Sequence, residues 1–98
     1  MEKIVRDGMV AVAVSYGFGA GWSTWNDVDP MDARFNQLFI DGKVAEAESL
    51  CKELDLGYEG GADCVKIEWV PVGTKFVIDE YDGAESLTTM DDFKWRTA

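Results

Sequence analysis

A chain of 98 residues, 47% hydrophobic and 12% aromatic, is long enough for one domain that buries roughly two-thirds of the surface its unfolded form exposes. Nineteen acidic residues against nine Lys and Arg give a net charge of −10, which disfavours direct nucleic-acid binding, because that mode needs clustered cations to neutralise phosphates. The apolar content argues against intrinsic disorder, and the longest apolar run, residues 9–14, falls far short of the roughly 20 residues that a membrane-spanning helix needs.

In chain order, residues 1–8 are a charged lead-in. Met9-Val10-Ala11-Val12-Ala13-Val14 is rich in β-branched residues and bounded by Gly8 and Gly17, which predicts a buried strand. Tyr16-Gly17-Phe18-Gly19-Ala20-Gly21-Trp22-Ser23-Thr24-Trp25-Asn26 then combines flexible backbone with large apolar surface. Asp29 and Pro30 predict a helix start, with Asp29 at the N-cap and Pro30 at the first helical position. Met31, Phe35, Leu38 and Phe39 share one helical face until Asp41-Gly42, and Val44, Ala47, Leu50, Cys51 and Leu54 form the stripe of a second helix, so the two pack as a hairpin.

After the glycines at 57, 60 and 61, residues 64–70 alternate, with Val65, Ile67 and Trp69 on one face. Pro71-Val72-Gly73-Thr74 predicts a turn, and residues 75–81 a partner strand carrying Phe76 and Ile78, the two strands forming an antiparallel hairpin. Asp82-Gly83 is a further turn signal, followed by a weak strand at residues 86–89 and a candidate fifth strand at residues 93–96. The expected fold is α+β, one domain over residues 1–98, with a mostly antiparallel sheet of about four or five strands in the order β-α-α-β-β-β and the helical hairpin on one face.

Known chemical motifs fit poorly. Gly17-Phe18-Gly19-Ala20-Gly21 is one residue short of a dinucleotide fingerprint and runs into Trp22-Ser23-Thr24-Trp25 rather than a helix, and no Gly-Lys-Ser/Thr marks a phosphate loop. Asp27, Asp29 and Asp32 lack the glycine and far-end glutamate of a calcium loop. With no histidine, and with neither Cys51 nor Cys64 beside a marked cation, no catalytic group stands out, so no enzyme, metal or cofactor is expected. Two cysteines in helix and strand patterns, with no secretory apolar region before them, fit reduced thiols in a cytoplasm.

Two features remain as a binding hypothesis. The first is the aromatic segment, where Tyr16, Phe18, Trp22 and Trp25 with Ser23, Thr24 and Asn26 serve as core packing, as a partner surface or as a ligand pocket. The second is the acidic stretch of Asp79, Glu80, Asp82, Glu85, Asp91 and Asp92, since no base occurs between Lys75 and Lys94. It reads as a solvated edge that discourages aggregation, or as a negative surface that occupies a nucleic-acid-binding protein.

The segment from Tyr16 to Asn26 resembles a Tyr-Gly-x-Gly-Ala-Gly-Trp-Ser-Thr-Trp-Asn-like signature of small, mostly uncharacterised proteins of tailed phages and prophages, with one extra residue in its glycine portion. Gly60-Gly61, Pro71-Val72-Gly73-Thr74 with Phe76 and Ile78, and Glu80-Tyr81-Asp82-Gly83-Ala84-Glu85-Ser86 resemble the same proteins, so the likeness covers most of the chain from about residue 9. It implies a viral or prophage origin and a bacterial host cytoplasm, and it carries over no functional residues. By analogy with small acidic phage proteins, the expectation is a non-enzymatic accessory protein that binds and modulates a host or phage protein, including defence factors. The alternatives are a binder of a small, nucleotide-like ligand at the glycine-aromatic loop, and a structural homo-oligomer.

Overall fold

The computed structural model describes residues 2–26, 28–56 and 61–90. Its elements are β1 (Val5–Arg6), β2 (Met9–Ser15), α1 (Ala33–Ile40), α2 (Val44–Glu53), a 3-10 turn (Ala62–Cys64), β3 (Val65–Pro71), β4 (Phe76–Tyr81) and β5 (Ala84–Thr89). The domain is α+β, and its antiparallel strands divide between two sheets, β1-β2-β3 and β4-β5. The candidate strand at residues 93–96 lies outside the described residues.

β2 is the centre of the fold because its side chains alternate between two cores. Ala13 joins Trp22, Phe35, Ala47, Cys51 and Ala62, with Leu38, Phe39, Val44, Leu50, Val65 and Ile67 packed around them. Val12 and Val14, with Val70, meet Met31, Phe76, Ile78 and Leu87 on the opposite face. The helical hairpin therefore covers one face of the larger sheet and the β4-β5 ribbon covers the other.

The expected hairpin between β3 and the strand after Pro71 does not form. β3 pairs with β2 from Val65↔Ser15 to Pro71↔Met9. The turn that follows donates Val72 N to Gly8 O at 2.9 Å and Thr74 N to Pro71 O at 3.0 Å, and it sends the chain to the other layer. There β4 pairs with β5, from Phe76↔Thr89 to Tyr81↔Ala84. Phe76 and Ile78 gain more by covering the valine face of β2 than by extending its sheet.

The first helix also starts later than Asp29-Pro30 predicts. Asp32 is the N-cap, its carboxylate accepting from Arg34 N at 2.9 Å, and α1 begins at Ala33. Asp29 instead accepts Met31 N at 2.8 Å, and Pro30 O accepts Ala13 N at 2.8 Å and Asn36 Nδ2 at 2.9 Å. β2 is thus served along its second edge by a carbonyl that a helix would have consumed, since buried backbone donors must find partners. Ile4 O does the same for Ala11 N at 2.9 Å, and Asn36 Nδ2 reaches Ala11 O at 3.1 Å. The helix end at Asp41-Gly42 is as expected, with Gly42 at φ +73°.

Candidate functional site

The glycine-aromatic segment is not one surface. Trp22 is fully buried, edge-on to Phe35 and Phe39 at ring separations of 5.0 and 5.2 Å. Its backbone N donates to Ser15 Oγ at 3.0 Å, and Trp22 O accepts Asn26 Nδ2 at 2.9 Å, which buries Asn26 as well. Trp22 and Asn26 are therefore architecture and leave the proposed contact set. Ser23 is half-buried. Trp25 is partly exposed and lays its ring on Gly21, where an added Cβ would stand 2.2 Å from Trp25 Cδ2.

Glu85 changes role most. It was expected on an acidic surface, yet it is 2% exposed. Oε1 accepts Ser15 N at 3.0 Å, while Oε2 accepts Thr24 N at 3.0 Å and Thr24 Oγ1 at 2.6 Å. The edge of β2 that faces away from β3 has no strand beside Ser15 and receives a carboxylate instead, and Thr24 directs its N–H and hydroxyl to the same group. Glu80 stands directly opposite Glu85 across the ribbon, a like-charge pairing that normally costs stability. The two carboxylates diverge, because Glu80 Oε2 turns to accept Gly83 N at 2.8 Å.

Next to this anchor the loop is fastened to the tip of the β4-β5 ribbon. Gly19 N donates to Asp82 O at 2.5 Å and Gly21 N to Gly83 O at 2.7 Å. Asp82 and Gly83 turn the ribbon with φ of +49° and +84°, the two positive values that a tight two-residue hairpin turn requires. Gly83 also lies against the loop backbone, since a Cβ there would meet Ala20 N at 2.8 Å.

The outcome is a pair of aromatic rings side by side on the surface. Phe18 is 77% exposed and Tyr81 is 73% exposed, with ring centroids 6.3 Å apart at 76°. Asp79, Glu80 and Asp82, which flank Tyr81 in the chain, are also exposed. Asp79 accepts a long bond from Thr88 Oγ1, at 3.4 Å. Asp91 and Asp92 lie outside the described residues, as does Asp27. Phe18 was singled out from sequence but Tyr81 was not; its signal was the position just before an Asp-Gly turn, where a side chain sits at a ribbon tip.

Tyr16 is separate from this pair. Its hydroxyl donates to Glu68 Oε1, and the Lys66 ammonium lies 5.8 Å from its ring centre. Burial, then the bond to the Glu68 carboxylate and its charge, push the phenol up to about 12. Cys64 is shifted the same way, by burial first and then by the Asp63 charge, which makes it a poor nucleophile. Cys51 is buried and Cys64 half-buried. No helix among the described residues is long and apolar enough to cross a membrane.

The arrangement is poorly suited to holding a nucleotide-like ligand, because the amides of Gly19 and Gly21 and the polar atoms of Ser15 and Thr24 are engaged internally. What it presents outward is apolar ring surface with carboxylates beside it. Comparisons with protein-family models, curated proteins and solved structures return no match.

Proposed function

We propose that this chain is a small acidic accessory protein of phage or prophage origin, without enzymatic activity, that binds and modulates a host or phage protein in the bacterial cytoplasm. The resemblance of residues 16–26 to the phage signature supports the origin. The binding reading is carried by one observation, the Phe18–Tyr81 pair, both rings more than 70% exposed on backbone that is tied down on both sides. Aromatic rings on preorganised backbone are the usual anchors of protein interfaces, since little side-chain or loop entropy is lost on docking.

The test is affinity capture from bacterial lysate with the tagged protein and with the Phe18→Ala/Tyr81→Ala double variant. The reading predicts proteins retained by the former and lost by the latter, at equal folded content by circular dichroism. Identical retained sets from the two baits would end it.

A further inference from the structure

We infer, building on the proposed function, that the Phe18–Tyr81 pair receives arginine side chains from a basic segment of the partner protein. Three observations point to that chemistry. First, this chain already places its own cations on two of its other exposed rings: Lys66 lies 5.8 Å from the Tyr16 ring centre and Arg6 lies 5.8 Å from that of Trp69. Among the described residues no cation of the chain lies over Phe18 or Tyr81, whose rings are 77% and 73% exposed.

Second, the ribbon segment that carries Tyr81 has charge of one sign. Asp79, Glu80 and Asp82, which flank Tyr81 in the chain, are exposed, and the sequence has no Lys or Arg between Lys75 and Lys94. A partner with negative or neutral groups at this point would leave those carboxylates uncompensated, whereas a basic segment is steered toward them and paired on arrival. Third, two rings at 76° offer one face and one edge rather than a stacked slot. A planar guanidinium can lie on the face while its donors reach a carboxylate such as Asp82, a combination that a lysine ammonium matches less well.

The experiment is a titration of isotope-labelled full-length protein with a short alternating arginine-glycine peptide, its lysine-glycine counterpart serving as comparison, followed by amide NMR shifts. The inference predicts shifts concentrated at residues 17–21 and 79–84, weaker binding by the lysine peptide, and loss of affinity as salt is raised. Phe18→Ala with Tyr81→Ala should weaken arginine-peptide binding roughly tenfold. Asp82→Asn, a residue that keeps the left-handed backbone accessible, should weaken it by about two- to threefold with the fold unchanged.

Shifts spread over the acids of α2, equal affinity for the two peptides, or an unaffected double variant would overturn the inference. So would concentration-dependent shifts at the same residues without peptide, which would make the occupant a second copy of the chain. Phe18-dependent protein capture from lysate with no arginine-peptide footprint defeats this inference and leaves the proposed function intact. A clear footprint with no Phe18-dependent capture does the reverse.

Discussion

Glu85→Gln isolates the contact that holds the loop, the central strand and the ribbon together. The two side chains have the same shape, but Gln presents one acceptor oxygen and one NH2 donor where Glu85 presents two acceptors to Ser15 N, Thr24 N and Thr24 Oγ1. The Thr24 hydroxyl can rotate to accept from the new NH2, and exposed Thr24 can return its N–H to water, so the amide oxygen should stay with fully buried Ser15. The loss is then one charge-assisted bond and the weakening of another, partly offset by no longer desolvating a carboxylate, roughly 2 kcal/mol in all. In a domain of this size that lowers Tm by about 10 °C. Thermal and urea denaturation followed by circular dichroism measure it, with exposed Asp79→Asn as a control expected to stay within about 0.5 kcal/mol. Hydrogen exchange at Gly19 and Gly21 should accelerate in the same variant, because their acceptors sit on the tip that Glu85 anchors. A variant as stable as Asp79→Asn, with unchanged exchange at those amides, would mean that Glu85 does not anchor the ribbon tip.

Trp22→Ala removes a fully buried indole and should cost about 3–5 kcal/mol in urea denaturation, whereas Trp25→Ala, at a partly exposed ring, should cost clearly less. Gly83→Ala sets a Cβ at φ +84° against Ala20 N and should destabilise by roughly 2 kcal/mol or more, read as a fall in the urea midpoint. Burial alone would raise the Asp32 carboxyl, but its bonds to Arg34 and the backbone N–H groups of the first turn outweigh that and hold it below the ordinary aspartate range. A pKa depressed by folding contributes stability that is complete above the unfolded value of about 3.9 and lost as pH falls through the folded one. Asp32→Ala should therefore cost about 1 kcal/mol at neutral pH, and its deficit should shrink below about pH 4 in acid titrations of stability. Ultraviolet titration should show one tyrosine ionising near 12 that Tyr16→Phe abolishes, and Glu68→Gln should move that step down. Because folding raises this pKa, the Tyr16 contribution is whole below the unfolded value of about 10 and lost as pH rises through about 12.

Local chemistry in the sequence reaches as far as local partners do. The apolar run of β2, the Gly42 stop, the second helix and the Asp82-Gly83 turn each depend on a few neighbouring residues, and each stands where residue type places it. The Asp29-Pro30 pair is as good a helix start as Asp32 by type. What separates them is Ala13 N, which needs Pro30 O and lies seventeen positions back along the chain. β4 likewise carries a pattern that suits pairing with either neighbour, and its choice of β5 is decided by the valine face of β2. Glu85 looks like five other acids in its stretch, and what distinguishes it is Ser15 N, on the edge of β2 that faces away from β3. For the candidate site, Phe18 and the carboxylates were legible, but their pairing with Tyr81 required the loop to dock on the ribbon tip, a contact of residues more than sixty positions apart.

Whether the Phe18–Tyr81 surface meets a partner protein can be read by placing a photoreactive phenylalanine analogue at position 18 and irradiating living bacteria that express the chain. A discrete covalent adduct with another protein is expected, absent when the same analogue replaces exposed Glu46 on α2. No adduct at position 18, adducts only between copies of this chain, or the same pattern from both positions would contradict it.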